Sequence, residues 1–237
     1  DKSMAEKIKE YSLNIQDFKE YIEMWIHEAK LPLASLNLIV HNHKELSDKK
    51  ITEQLKRLDD DIEQVLYYVR SENAEKDYLI KETEIAKVIS NVAIKNKDIL
   101  LENNIDFEVE VGNTKVLTDS KWLEFIVNQI VSNSIKYIRN DVEHLIKITT
   151  EENNKNVILK IYDNGIGISK SDIPKVFDKT FTGNNGRKIE TSTGMGLYIA
   201  KQLCKKIGHK ITIDSKENEY TEVSILFNKD DFLNIAK

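Results

Sequence analysis

His27 is followed directly by Glu28. A neutral imidazole is a competent nucleophile, and a neighbouring carboxylate can take its proton and stabilise the cation that forms. Counting heptads with Ile22 at a and Trp25 at d places His27 at f, the position that faces water. Exposure and a base are what a phosphate-accepting histidine requires. A surface histidine beside a surface glutamate is the plain alternative. The other histidines, His41, His43, His144 and His209, show no metal-ligand spacing and read as structural or solvated.

Three further stretches carry residue types suited to a phosphorylated ligand. Asp163-Asn164-Gly165-Ile166-Gly167 follows an apolar run from Val157 to Tyr162. A strand that ends in Asp and then turns on two glycines lets backbone approach a flat ligand, while the carboxylate can accept from an exocyclic amine. Thr193-Gly194-Met195-Gly196-Leu197 stands just ahead of an apolar helical pattern. Glycines at a helix N-terminus present free N–H groups and the positive end of the helix dipole to a phosphate. Gln129, Asn133, Lys136 and Tyr137 recur at spacings of 4, 3 and 1, along one face of a helix whose neighbouring face is Leu123, Ile126 and Ile130. Amide oxygen, ammonium and aromatic ring in one row suit a metal, a phosphate and a base. A β-turn, a helix cap and an amphipathic helix would each explain one of these stretches singly. Together they occur once each and in one order behind His27.

The elements that must position these groups are legible in the apolar pattern. The first hundred residues hold one proline, Pro32, and no glycine, so helix is the natural reading. Met4, Ile8, Tyr11, Ile15, Phe18, Ile22, Trp25 and Ala29 alternate steps of 4 and 3, a heptad seam. It continues at Leu33, Leu36 and Val40 after an extra four-residue step, a stutter, with Pro32 beside it as the expected bend. A second seam runs through Ile51, Leu55, Leu58, Ile62, Val65 and Val69, after a short polar link around 45–50. Short links make antiparallel neighbours. Two seams are buried economically by a dimer that forms a four-helix bundle; an internal hairpin packed on the rest of the chain is the alternative.

From about residue 81 the pattern becomes mixed. We expect helices at about 83–103, from Asp119 or Ser120 to 138, and at 195–207, with a short helix near 171–177. Strands are expected at 105–111, 115–118, 144–151, 156–162, 209–214 and 221–228. Because strands and helices are not strictly interleaved, this is an α/β sandwich rather than a doubly wound sheet. Over 237 residues the net charge is −5, which gives no bulk attraction to nucleic acid. One cysteine, Cys204, excludes an internal disulfide and a Cys-rich zinc site. No run approaches the ~20 apolar residues of a membrane helix.

In their order, these stretches resemble the bacterial sensor histidine kinases of two-component systems. Met24-Trp25-Ile26-His27-Glu28-Ala29-Lys30-Leu31-Pro32-Leu33 is similar to the phospho-acceptor box. Asn128–Tyr137 is similar to the asparagine box, Asp163–Gly167 to the first glycine box and Gly194–Leu197 to the second. Asp172–Phe181, with Phe177 and Phe181, resembles the phenylalanine box. Gyrase, heat-shock chaperone and mismatch-repair ATPases share the nucleotide boxes but lack the histidine box on a dimeric hairpin. Trp25-Ile26-His27 and Phe181-Thr182-Gly183-Asn184-Asn185-Gly186-Arg187 further resemble the intramembrane-sensing kinases that work with antimicrobial-peptide transporters of the bacitracin type.

The resemblance implies an antiparallel helical hairpin over residues 1–76 that dimerises and carries the phosphotransfer histidine. Residues 77–237 would form an ATP-binding α/β sandwich of the Bergerat, or GHKL, type. His27 would attack the γ-phosphate with Glu28 as base. Asp163 would bind the adenine amino group, Tyr137 would pack on the ring, Lys136 would approach the phosphates and Asn133 would hold Mg²⁺. Gln129, Gly165, Gly167, Gly194, Gly196, Leu197 and, on a lid at about 178–193, Arg187 would complete the ATP site. The implied partners are a second copy, a response regulator and, through membrane segments outside this chain, an antimicrobial-peptide ABC transporter. The chain would then be the cytoplasmic part of a membrane protein. A catalytically silent nucleotide-binding scaffold and a conformational ATPase are the competing readings.

Three departures from the family pattern matter, and the first is a short lid that lacks the arginine-rich pattern of many relatives, so that Arg187 alone is assigned there. Gln129 stands where many members have a second asparagine, which keeps an amide but alters its reach. Leu31, four residues after His27, stands where many have Thr or Asn, a residue held to position the water that dephosphorylates the partner. Leucine cannot hydrogen-bond water. The expected outcome is weak phosphatase activity toward a phosphorylated response regulator; fast dephosphorylation by the wild-type chain, lost on changing this box, would overturn that reading.

Overall fold

Pro32 is itself helical, as are the other described positions between 4 and 36. The computed structural model describes residues 48–72, 78–139, 141–183 and 193–229, with scattered positions among the first 36. The chain divides into two compact units, Asp1–Lys76 and Asp77–Lys237.

In the first unit, helix α1 spans Asp48–Glu72. Contacts between described residues join it to the leading helical stretch. The rings of Tyr21 and Tyr68 lie 4.0 Å apart, and Glu28 pairs with Arg57 at 3.7 Å. The partners run in reverse order, as they do between antiparallel helices. Among the described residues Tyr21, Ala29, Pro32, Tyr67 and Tyr68 are buried. Of the expected seam, Ala29 is buried, whereas Met4, Tyr11, Ile15 and Phe18 are exposed. On α1, Ile62 is 49% exposed. A single neighbouring helix covers a narrow strip, so a seam wide enough for two partners stays partly open within one chain.

The second unit is a two-layer sandwich. Its five-stranded sheet has the order β2-β4-β5-β7-β6, where β2 is Ile105–Glu110, β4 His144–Glu152, β5 Asn156–Asp163, β6 Lys210–Lys216 and β7 Tyr220–Asn228. β2 joins β4 in parallel and every other neighbour is antiparallel. On one face lie α2 (Ile85–Glu102), α3 (Ser120–Lys136) and α4 (Gly196–Lys206), with α3 packed between the other two. Alternation within each strand separates the faces. Ile146, Ile148, Leu159, Ile161, Val223 and Ile225 are buried toward the helices. The opposite face carries Lys147, paired with Glu108 and Glu110, and Lys160, paired with Glu151.

A separate antiparallel ribbon of β1 (Lys81–Glu84) and β3 (Lys115–Thr118) enters α2 and α3. The sequence pattern placed a helix start where β1 lies. Lys-Glu-Thr-Glu has no strand signal of its own; the ladder to β3, with Thr83 turned inward and Lys115 paired to Glu82 at 2.8 Å, creates the strand. The short helix near 171–177 is one 3₁₀ turn, Ile173–Lys175. The remaining elements agree with expectation to within one or two residues.

His209 is a core residue of this unit. It is 7% exposed, its Nε2 lies 2.9 Å from the Thr118 hydroxyl, and its ring meets the edge of Phe227 at 4.5 Å. Burial, opposed weakly by the Gly208 backbone, lowers its pKa from 6.5 to about 4. The unfolded chain therefore binds a proton that the folded unit refuses. Stability should fall as pH drops from 6.5 toward about 4 and level off below, by on the order of 3 kcal/mol in all. Denaturant unfolding at a series of pH values checks this: His209→Gln should flatten the slope in that window, and an unchanged slope would show that another group sets it.

Candidate active site

The site begins with the cap of α3. Asp119 accepts from the N–H groups of Lys121 and Trp122 at 2.9 Å each, and its other oxygen accepts from Leu79 N–H at 2.7 Å. The helix start is thereby tied to the chain that leads into β1. From this fixed start, Leu123, Ile126 and Ile130 bury one side of α3. Gln129, Asn133 and Lys136 come up half-buried on the next stripe. Tyr137 closes the helix as its C-cap, with the Lys136 ammonium 5.9 Å from its ring centroid.

Beside that end of α3, β5 delivers Asp163. The residue as a whole is 8% exposed. One oxygen accepts from Gly165 N–H at 3.0 Å and the other from the Ser134 hydroxyl at 2.8 Å. Burial pushes its pKa up, and these two hydrogen bonds pull against that shift. Among the described residues no cation is paired with it.

The turn that follows is held by backbone contacts. Ile166 N–H donates to the Tyr137 carbonyl at 2.9 Å, which locks the turn to the end of α3. A Cβ at Gly165 would stand 2.4 Å from that same carbonyl oxygen. Gly167 has φ +62°, and a Cβ there would meet the Lys216 carbonyl oxygen at 2.1 Å. These glycines thus let two parts of the protein backbone touch, whatever else they admit. Asn164 staples the turn to β4, accepting from Leu145 N–H at 2.9 Å and donating to the Glu143 carbonyl at 2.7 Å. Ser215 accepts from Ile168 N–H at 2.9 Å.

The second glycine stretch is similar in logic. Gly194 has φ +68° and packs against the backbone of Thr180 and Phe181. α4 starts at Gly196 with no side-chain cap, since Met195 at the N-cap position is a buried apolar residue. Leu197 lies in its first turn, half-buried. Lys201, one turn further, places its ammonium 5.3 Å from the ring centroid of Phe177.

The fold therefore joins the α3 row to the Asp163 turn, and the Phe177–Phe181 segment to the second glycine stretch. His27 and Arg187 lie outside the described residues. Glu28 is described, and its partner there is Arg57. Among the described residues no group of three or more His, Cys, Asp or Glu could hold a metal ion. A divalent cation would rest on amide oxygen and on a ligand's phosphates, which is the usual way Mg²⁺ is held at nucleotide sites. Sequence reasoning assigned no role to Ser134 or Ser215. Their partners are 29 and 47 residues away, so no local pattern announces them.

Comparison with known proteins gives this geometry a family. Residues 118–231 match the histidine kinase-, DNA gyrase B- and HSP90-like ATPase family. The chain is 29% identical over 224 residues to the sensor histidine kinase YxdK of Bacillus subtilis, covering 94% of this chain and 68% of YxdK. It is 30% identical to the sensor protein kinase GraS of Staphylococcus aureus (strain JH1), covering 94% of this chain and 64% of GraS. It thus spans about two thirds of the length of these relatives. Its fold is similar to that of histidine kinase ThkA, solved in complex with response regulator protein TrrA. The TM-score is 0.64 at 22% identity, covering 94% of this chain and 66% of ThkA. Fold and site define a nucleotide-binding domain of the kinase, gyrase and HSP90 class. Along nearly its whole length the chain resembles the catalytic part of bacterial sensor histidine kinases. No helix among the described residues is long and apolar enough to cross a membrane.

The glycine geometry is testable. Gly167→Ala meets both a left-handed backbone and a blocking carbonyl, whereas Gly112, at φ +53°, has nothing within 4 Å of a Cβ. Gly112→Ala should cost about 1 kcal/mol, the backbone strain alone. Gly167→Ala should cost at least a further 1–3 kcal/mol or so, from overpacking. Thermal unfolding of the two variants measures the difference; equal losses would show that the Lys216 strand moves aside freely.

Proposed function

We propose that this chain transfers the γ-phosphoryl group of ATP to His27 and passes it on to an aspartate of a response regulator. The observation that carries the reading is the Asp163 turn. A buried carboxylate, held in place by neutral donors and free of a paired cation among the described residues, is a ready acceptor for the amino group of adenine. It stands beside the polar end of α3.

The remaining roles follow from that placement. Tyr137 offers its ring to the base and Lys136 its charge to the phosphates. Asn133 offers an amide oxygen to Mg²⁺, with Gln129 one turn earlier on the same stripe. Gly194, Gly196 and Leu197 offer backbone N–H groups at the uncapped start of α4. Arg187 belongs to the lid in this reading. Phosphoryl transfer depends on positioning and charge neutralisation more than on covalent help, and these groups supply both. His27 is the nucleophile, and Glu28, paired in this structure with Arg57, is the base.

Residues 1–76 act in this proposal as the dimerisation and phosphotransfer domain, and residues 77–237 as the ATP-binding domain. The partly exposed apolar stripe through Ile62 and Leu66 on α1, and through Tyr11, Ile15 and Phe18, supports burial against a second copy in a four-helix bundle. The response regulator as partner class is carried over from the ThkA–TrrA complex. Residence at the cytoplasmic side of a membrane, and partnership with an antimicrobial-peptide transporter, rest on the resemblance of Trp25–His27 and Phe181–Arg187 to the intramembrane-sensing kinases.

Incubation with Mg²⁺ and γ-labelled ATP tests the reading. Wild type should acquire acid-labile, alkali-stable label, and His27→Ala and Asn133→Ala should each acquire roughly a hundredfold less or none. ATP binding without label on any form would favour the scaffold. Hydrolysis without label would favour a conformational ATPase.

A further inference from the structure

The nucleotide reading gives Asp163 its role but leaves Ser134 without one. Ser134 sits inside α3 and is 3% exposed. Alanine is the better residue for a helix interior, so a buried serine needs a hydrogen-bond partner to justify its hydroxyl. Two acceptors are in reach: the Asp163 carboxylate at 2.8 Å and the Ile130 carbonyl at 3.3 Å. The carboxylate is the closer and the charged one, and charge-assisted hydrogen bonds are the stronger kind.

Resting on the proposed function, we propose that Ser134 is a positioning residue that keeps Asp163 an oriented, acceptor-only carboxylate and so selects a 6-amino over a 6-oxo purine.

The surroundings of Asp163 leave this task to few groups. Across the sheet it faces Ile146 on β4 and Thr221 on β7, neither of them charged. From its own turn it receives Gly165 N–H. From α3 it receives the Ser134 hydroxyl, and the titratable groups at that end of the helix are Lys136 and Tyr137. Burial disfavours the anion, and the two neutral donors are what oppose it. They approach different oxygens from different elements, which fixes the plane of the carboxylate as well as its charge.

The selectivity follows from donor and acceptor counting. An ionised carboxylate only accepts, so it matches the amino group of adenine. It repels the carbonyl oxygen that inosine and guanosine carry at the same ring position. A protonated carboxyl donates one hydrogen bond and loses that discrimination. Removing the Ser134 hydroxyl should therefore shift Asp163 toward the protonated form and loosen its orientation.

The test is equilibrium binding of ADP and of inosine diphosphate to the full chain between about pH 5.5 and 8.5, for wild type, Ser134→Ala and Asp163→Asn. Ser134→Ala keeps the helix. Its ADP affinity should fall about tenfold at the acid end and recover toward wild type at the alkaline end, and its preference for ADP over inosine diphosphate should narrow. The same acid limb and the same preference as wild type would overturn the proposal, provided Asp163→Asn weakens ADP binding. If Asp163→Asn leaves ADP binding intact, the adenine-binding role of Asp163 itself fails.

Discussion

A carboxylate taken out of water without a cation beside it is a costly thing to fold, and the second unit is built so that Asp163 can be one. Its two hydrogen bonds come from different parts of the chain. Gly165 N–H comes from the turn that Asp163 itself begins, and the Ser134 hydroxyl comes from α3. Both are in place only when the last residue of β5 lies against the last turn of α3. The apolar sides of that helix and strand bring them there. Leu123, Ile126 and Ile130 meet a sheet face made of Leu159, Ile161 and their neighbours. Ordinary hydrophobic packing thus places this buried carboxylate.

The same constraint explains why glycine occurs where it does. The turn after Asp163 runs so close to the end of α3 that the Tyr137 carbonyl occupies the space of a side chain at Gly165. Two residues on, the Lys216 carbonyl does so at Gly167. Ile166 is fastened on both sides, its N–H to Tyr137 and its carbonyl to Asn218 N–H. A turn so pinned is a rigid platform. Gly194 makes a comparable approach to the backbone of Thr180 and Phe181.

In the first unit the physics is different. Tyr21 and Tyr68 meet between the two helical stretches, yet large apolar side chains remain exposed along both. Within one chain that surface is a cost. In a helical pair that meets a second pair it becomes the core, which is why the proposed dimer and the proposed phosphotransfer role belong together.

The sequence by itself determined the helices, most of the strands and the identity of the polar row on α3. These depend on local periodicity, on an Asp at a helix start and on glycines at turns, all of which are written in neighbouring residues. It also determined that Asp163 ends a strand and precedes two glycines. Tertiary structure decided the rest. β1 exists because β3 pairs with it, although Lys-Glu-Thr-Glu has no strand preference. Tyr21, one residue off the expected seam, is buried and Tyr11, on it, is not, because the Tyr68 ring of α1 lies over Tyr21. Ser134 reaches Asp163, and Gly167 meets Lys216, because sheet register sets side by side residues that are far apart along the chain. A periodic pattern reports which way a residue faces; it carries no record of what it will face.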